Sequence, residues 1–136
     1  MPKLYIDTNI LIYALGDSEN LYGKDISSSA RKLLFEAATC KHHVIISNWT
    51  LKELELKNKL SEANFLLQLL KKKTIEIQKT DEDEQQAKEQ NPDNVQDQLH
   101  CILAQKSNAD YIVTRNVEDF NHFNSTIPIV KPEKLL

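Results

Sequence analysis

The strongest constraint on this chain is a repeated switch of hydrophobic period. Short apolar runs alternate with longer stretches whose apolar residues recur at helical spacing. The short runs are Leu4 to Ile6, "HVIIS" (43–47), "TIEIQ" (74–78), "DYIVT" (110–114) and "IPIV" (127–130), and each reads as a strand. Between them, "ISSSARKLLFEAATCK" carries Ala30, Leu33, Leu34, Ala37 and Ala38 as one apolar stripe, with Ser27 or Ser28 as its cap. "NWTLKELELKNKL" and "SEANFLLQLLKKK" read as two more helices, the second with Phe65, Leu66, Leu69 and Leu70 inward. "DEDEQQAKEQ" is a polar helix or a solvated connector. Pro92 marks a fresh helix start, and Val95, Leu99, Ile102 and Leu103 form the stripe of the last long helix. "GDSENLYGKD", which holds both glycines, reads as a loop. Strands alternating with helices predict an α/β domain, a mainly parallel sheet covered on both faces.

Size and composition narrow the function classes. The 136 residues fit one domain, spanning 1–136, with room for a real core. No apolar run approaches the roughly 18 residues of a membrane span, and the start lacks a basic, small-residue-terminated leader, so a cytoplasmic protein is expected. Cys40 and Cys101 are isolated and read as reduced core thiols. A net charge of −3 is not the basic footprint of most nucleic-acid binders. An acidic chain that handles a polyanion needs a metal ion or a local basic patch.

Acidic residues recur where a parallel sheet would gather them. Asp7 follows the first strand directly, Glu53 lies in the helix after the second, and Asp97 begins the helix before the fourth. Thr114, Arg115 and Asn116 follow that fourth strand, with Asp119 close behind. Converging carboxylates repel one another unless a cation neutralises them. Oxygen ligands without His or Cys suit Mg²⁺ or Mn²⁺ better than zinc. Each residue also has a plainer reading. Asp7 can be a helix cap, Glu53 a solvated helix residue, Asp97 part of an acidic face and Asn116 a turn former. With 20 acids in the chain, some fall near strand ends by chance. His100, three residues after Asp97, reads as a satisfied half-buried histidine or as a group behind a ligand.

Four segments carry a resemblance: "YIDTNILIY", "ISNWTLKEL", "DQLHCILAQKSNADYIVTRNVEDF" and the closing "IPIVKPEKLL". Together and in this order they are similar to the PIN-domain ribonucleases, and many small members of that family resemble VapC-type toxins. The resemblance implies a three-layer α/β/α sandwich and Mg²⁺- or Mn²⁺-dependent hydrolysis of RNA. It implies an antitoxin protein as a possible partner, and a homodimer. By position, Asp7, Glu53 and Asp97 match the family's acidic metal ligands, Asn9 its polar neighbour and Thr114 its small hydroxyl residue. The family's fourth acid falls on Asn116, which offers a carbonyl oxygen but no charge; Asp119 could supply that charge. Arg115 stands beside the site, placed to meet RNA. Two other classes stay in view. One is a catalytically quiet PIN module that binds RNA or a protein. The other is a phosphatase with Asp7 as nucleophile, which the Asn at position 9 disfavours.

Overall fold

The computed structural model describes residues 1–16, 26–39, 41–120 and 126–136, and of Asp119 the backbone alone. Most of the expected loop "GDSENLYGKD" and Cys40 lie outside the described residues. The elements run β1 (Lys3–Ile6), α1 (Thr8–Leu15), α2 (Ser27–Ala38), β2 (His43–Ser47), α3 (Asn48–Leu56), α4 (Leu60–Leu70), β3 (Thr74–Ile77), α5 (Asp81–Gln90), α6 (Val95–Lys106), β4 (Tyr111–Val113), α7 (Val117–Phe120) and β5 (Ile129–Val130). Short 3-10 turns follow at Lys71–Lys73 and Pro132–Leu135.

The five strands form one sheet in the order β3-β2-β1-β4-β5, and every neighbouring pair is parallel. Side-chain alternation on β1 divides the core in two. Leu4 and Ile6 face α1 to α4 together with Val44, Ile46 and Val113. Tyr5 faces the other way with Ile45 and Ile112, onto Leu99, Leu103 and Ala104 of α6 and Ala87 of α5. The layers are therefore helix, sheet, helix, as the alternation of periods predicts. From β1 the chain steps outward to β2 and β3, then returns to β4 on the other side of β1. That reversal leaves a crevice beyond the carboxyl ends of β1 and β4, the usual location for a site in such sheets.

Local chemistry accounts for several boundaries. Asn58 and Asn108 adopt positive φ (57° and 56°) just past α3 and α6. Asparagine tolerates that conformation better than other side chains with a Cβ, and it closes a helix as glycine usually does. The polar stretch "DEDEQQAKEQ" is a helix because Thr80 and Asp83 form a reciprocal capping box at its start. Two expectations need correction. Ser27 lies inside α2, whose cap position is Ile26 and has no side-chain cap bond. On α4, the inner stripe is Ala63 and Leu70 with Leu66 and Leu67 partly buried, whereas Phe65 is 71% and Leu69 49% exposed. Alanine at 63 lets the helix sit close to the core, so the neighbouring stripe of larger residues is turned outward. Phe65 and Leu69 instead wall an apolar groove of about 300 Å³ with Ala14, Leu15, Leu34 and Phe35.

Candidate active site

The site grows from the ends of the two central strands. Asp7 holds the cap position of α1, with extended backbone, yet its side chain makes no cap bond. Its backbone N–H donates to the Val113 carbonyl at 3.0 Å, extending the β1–β4 pairing by one residue. Its Oδ2 accepts from Thr114 Oγ1 at 2.9 Å. Thr114 is fully buried and Asp7 only 4% exposed, so the carboxylate sits deep in the crevice. Burial pushes its pKa up, and the charges of Asp97 and Glu53 push the same way; the His100 charge and the Thr114 bond oppose them without cancelling them.

Glu53 arrives from α3. Ser47 caps that helix, accepting from the Thr50 N–H at 3.0 Å, which sets where the next turn points. Glu53 Oε1 accepts from Thr8 Oγ1 at 2.7 Å and from His100 Nε2 at 2.5 Å. Burial raises the pKa of Glu53, but those two donors and the nearby charges of His100 and Lys57 outweigh it and hold the carboxyl low. His100 shows the reverse. Burial opposes its charge, yet the Tyr5 oxygen, the bond to Glu53 and the carboxylates of Asp7 and Glu53 hold the imidazole well above its usual range. Asp97, in the first turn of α6, accepts from Asn94 Nδ2 at 3.1 Å through Oδ2.

A common arrangement results. Each of the three carboxylates is anchored through one oxygen: Asp7 by Thr114, Glu53 by Thr8 and His100, Asp97 by Asn94. The other oxygen accepts no hydrogen bond among the described residues; His100 Nε2 lies 3.9 Å from Asp7 Oδ1. The donor set is all oxygen and the charge of the buried Asp7 carboxylate is only partly offset by Thr114 and His100, so the chemistry fits a hard divalent ion. Geometry is less complete. Among the described residues, no three Asp, Glu, His or Cys side chains are gathered closely enough to hold one ion. Glu53 is held through Oε1 by His100 and Thr8, which leaves Oε2 as its open oxygen.

The remaining predicted residues fall around this centre. Asn9 accepts from Lys57 Nζ at 3.1 Å, tying α1 to α3 beside Glu53. Asn116 donates its backbone N–H to Thr114 Oγ1 at 3.1 Å, while its exposed side chain lines a small polar recess with Glu118 and Lys131. Arg115 is paired with Glu133 and reaches Ser29 at 3.5 Å, joining β4 to α2 and the C-terminal turn. The side chain of Asp119 lies outside the described residues. Sequence reading did not bring Tyr5 or Thr8 to the site. Tyr5 looks like one more apolar strand residue, and the only available signal was its hydroxyl at a fully buried position. His100 is 1% exposed, more deeply buried than expected. Cys101 is buried among these acids. Burial first, then the charges of Asp97 and Asp7, pushes its thiol up to about 12, which fits an inert core cysteine.

Comparison with known proteins agrees with this fold. A family model described as "PIN domain" matches residues 3–118. No curated protein matches the sequence. Among solved structures, the fold is similar to a chain in the crystal structure of VapBC2 from Rickettsia felis bound to a DNA fragment from their promoter. That match has a TM-score of 0.62 at 19% identity and covers 95% of this chain and 98% of the other.

Proposed function

The chain belongs to the PIN domain family, and on that premise we propose that it is a divalent-metal-dependent ribonuclease, the toxin of a toxin–antitoxin pair. The observation that carries the reading is the set of three carboxylates from three separate elements, each anchored by one oxygen with the other left open. Asp7 and Asp97 would hold Mg²⁺ or Mn²⁺, with Glu53 completing the set. Such an ion supplies positive charge that eases deprotonation of water and balances charge developing on the phosphate. The chain's own groups do the rest. Thr114 keeps Asp7 oriented. Thr8 and His100 keep Glu53 oriented, and its low pKa suits it to orient the attacking water through an accepted hydrogen bond. By their positions in the sequence, after the fourth strand, we assign Asn116 and Asp119 to contact with that water or the phosphate. The water oxygen bonds to phosphorus, the bond to the 3′ oxygen breaks, and a proton ends on that oxygen. The products are a 5′-phosphate and a 3′-hydroxyl.

Asp7→Asn and Asp97→Asn test the assignment in folded protein. Each should lower Mn²⁺-dependent RNA cleavage by at least about a hundredfold, since each removes a charged ligand. Undiminished cleavage by both would end the reading.

A second reading, a quiet module that binds RNA or protein, is favoured by one feature: Asn116 stands where the family carries an acid. It expects RNA binding that survives EDTA, with no turnover at any Mn²⁺ concentration. The solved neighbour is a VapBC assembly, which supports an antitoxin as this chain's partner. The exposed apolar groove of Phe35, Phe65 and Leu69 is the surface we assign to it. We also propose a homodimer acting in the cytoplasm, where its RNA would be found; light scattering on the purified chain tests the dimer. No helix among the described residues is long and apolar enough to cross a membrane.

A further inference from the structure

Tyr5 is fully buried in the middle of β1, on the face that packs against α6. Phenylalanine would fill the same space, so the hydroxyl needs a reason to be there. It contacts His100 Nδ1 at 2.7 Å and Ser47 Oγ at 3.1 Å. Ser47 is itself held by the Thr50 N–H at 3.0 Å. The other ring nitrogen of His100, Nε2, is 2.5 Å from Glu53 Oε1. A buried hydrogen-bonded line therefore runs Ser47–Tyr5–His100–Glu53, through β2, β1, α6 and α3. Glu53 as a carboxylate can only accept, so Nε2 carries a hydrogen whether or not the ring is charged. The direction of that last bond does not depend on the protonation state of His100.

The line ends on one oxygen of one carboxylate. Glu53 has a long side chain with several rotatable bonds, and fixing it alone costs entropy. With Thr8 and His100 both on Oε1, the rotamer is set and Oε2 faces away from its donors. We infer that Tyr5 and His100 are positioning residues: Tyr5 fixes the ring of His100, and His100 fixes Glu53 so that its free oxygen serves the divalent-ion site. The inference rests on the metal-nuclease reading above. A buried histidine normally finds partners for both ring nitrogens; here one partner is a buried hydroxyl that fixes the ring and the other is the Glu53 carboxylate at the site.

The test uses the full chain with Tyr5→Phe, His100→Gln and His100→Leu. Mn²⁺ affinity is read by calorimetry and by electron paramagnetic resonance, and RNA cleavage is followed across Mn²⁺ concentrations. Loss of a group that orients a ligand typically weakens metal binding about 10- to 100-fold, so Tyr5→Phe should fall near tenfold and His100→Leu near a hundredfold. The side-chain amide of Gln can donate about where Nε2 does, so His100→Gln should stay within about threefold of wild type. In the weakened variants KM for RNA should be unchanged, and kcat should recover as Mn²⁺ is raised. Wild-type Mn²⁺ affinity in Tyr5→Phe and His100→Leu overturns the inference. So does an equal loss in His100→Gln and His100→Leu, which marks a packing role. If His100→Leu does not fold, Tyr5→Phe decides: a loss of about tenfold in Mn²⁺ affinity supports the inference and wild-type affinity overturns it. Wild-type protein that binds Mn²⁺ no better than Asp7→Asn overturns the nuclease reading and this inference together, a result distinct from failure of the positioning variants alone.

Discussion

Asp7 sits where a helix cap belongs and gives its side chain to a threonine on another strand. Burial of the Asp7 carboxylate at that position carries a cost, which the Thr114 bond only partly offsets. Its pKa in the folded protein lies above the free value of 3.8, so the stability this group contributes is complete below that value and is lost as pH rises through the raised one. At neutral pH the ionised carboxylate is a liability. Asp7→Asn, whose amide oxygen can still accept from Thr114, should melt higher than wild type at pH 7, and the gain should shrink as pH falls toward 4; thermal melts across pH 3–8 check this. Thr114→Val removes the donor and leaves Oδ2 buried without a partner, a loss of about 1–3 kcal/mol by denaturant titration. Cys101, with its thiol near 12, should resist alkylation at pH 8 in native protein and react once unfolded.

Among the elements, α5 shows how a polar segment becomes a helix. With Asp83 and Ala87 as its buried residues, it has little apolar surface to hold it. Its start is fixed instead. Thr80 Oγ1 accepts from the Asp83 N–H at 3.2 Å, Asp83 Oδ2 accepts from the Thr80 N–H at 2.9 Å, and Lys106 of α6 donates to the same oxygen at 2.9 Å. Burial raises the Asp83 pKa, but these bonds and the lysine charge bring it below the free value of 3.8. Its contribution is therefore present above 3.8 and lost as pH falls through the lower folded value, the opposite sense to Asp7. Thr80→Ala should cost about 1 kcal/mol in the denaturant midpoint. Hydrogen exchange should localise the loss to α5 and the adjoining end of α6.

For the molecule as a whole, two surfaces have different work. The carboxyl edge of the sheet gathers polar groups. The face over α2 and α4 leaves Phe35, Phe65 and Leu69 exposed around an apolar groove. The double variant Phe65→Glu, Leu69→Lys touches little of the core, so stability should change by no more than about 0.5 kcal/mol. Copurification with the antitoxin should be lost, in line with the assignment of this groove, and RNA cleavage should persist. The C-terminal turn is held by Arg115 and Ser29 onto Glu133. Arg115 thus acts first as a tie between the chain's end and the site's rim, and its reach toward RNA would require that tie to open.

The order of strands and helices was legible because hydrophobic period is a local property: Leu4, Tyr5 and Ile6 announce a strand whatever surrounds them. The motifs pointed to Asp7, Glu53 and Asp97 as candidates; the structure anchors one oxygen of each but, among the described residues, gathers no three such side chains around one point. Sequence could not say that Phe65 faces outward and Ala63 inward, since both stripes of α4 are apolar and tight approach to the core decides between them. Nor could it show that Tyr5 and His100, separated by 95 residues, meet behind Glu53. That contact exists because β1 and α6 are layered face to face, and the buried Tyr5 hydroxyl bonds the polar groups within its reach there, His100 and Ser47. Local pattern determined which segments form; packing in three dimensions decided which polar groups must find one another once water is excluded.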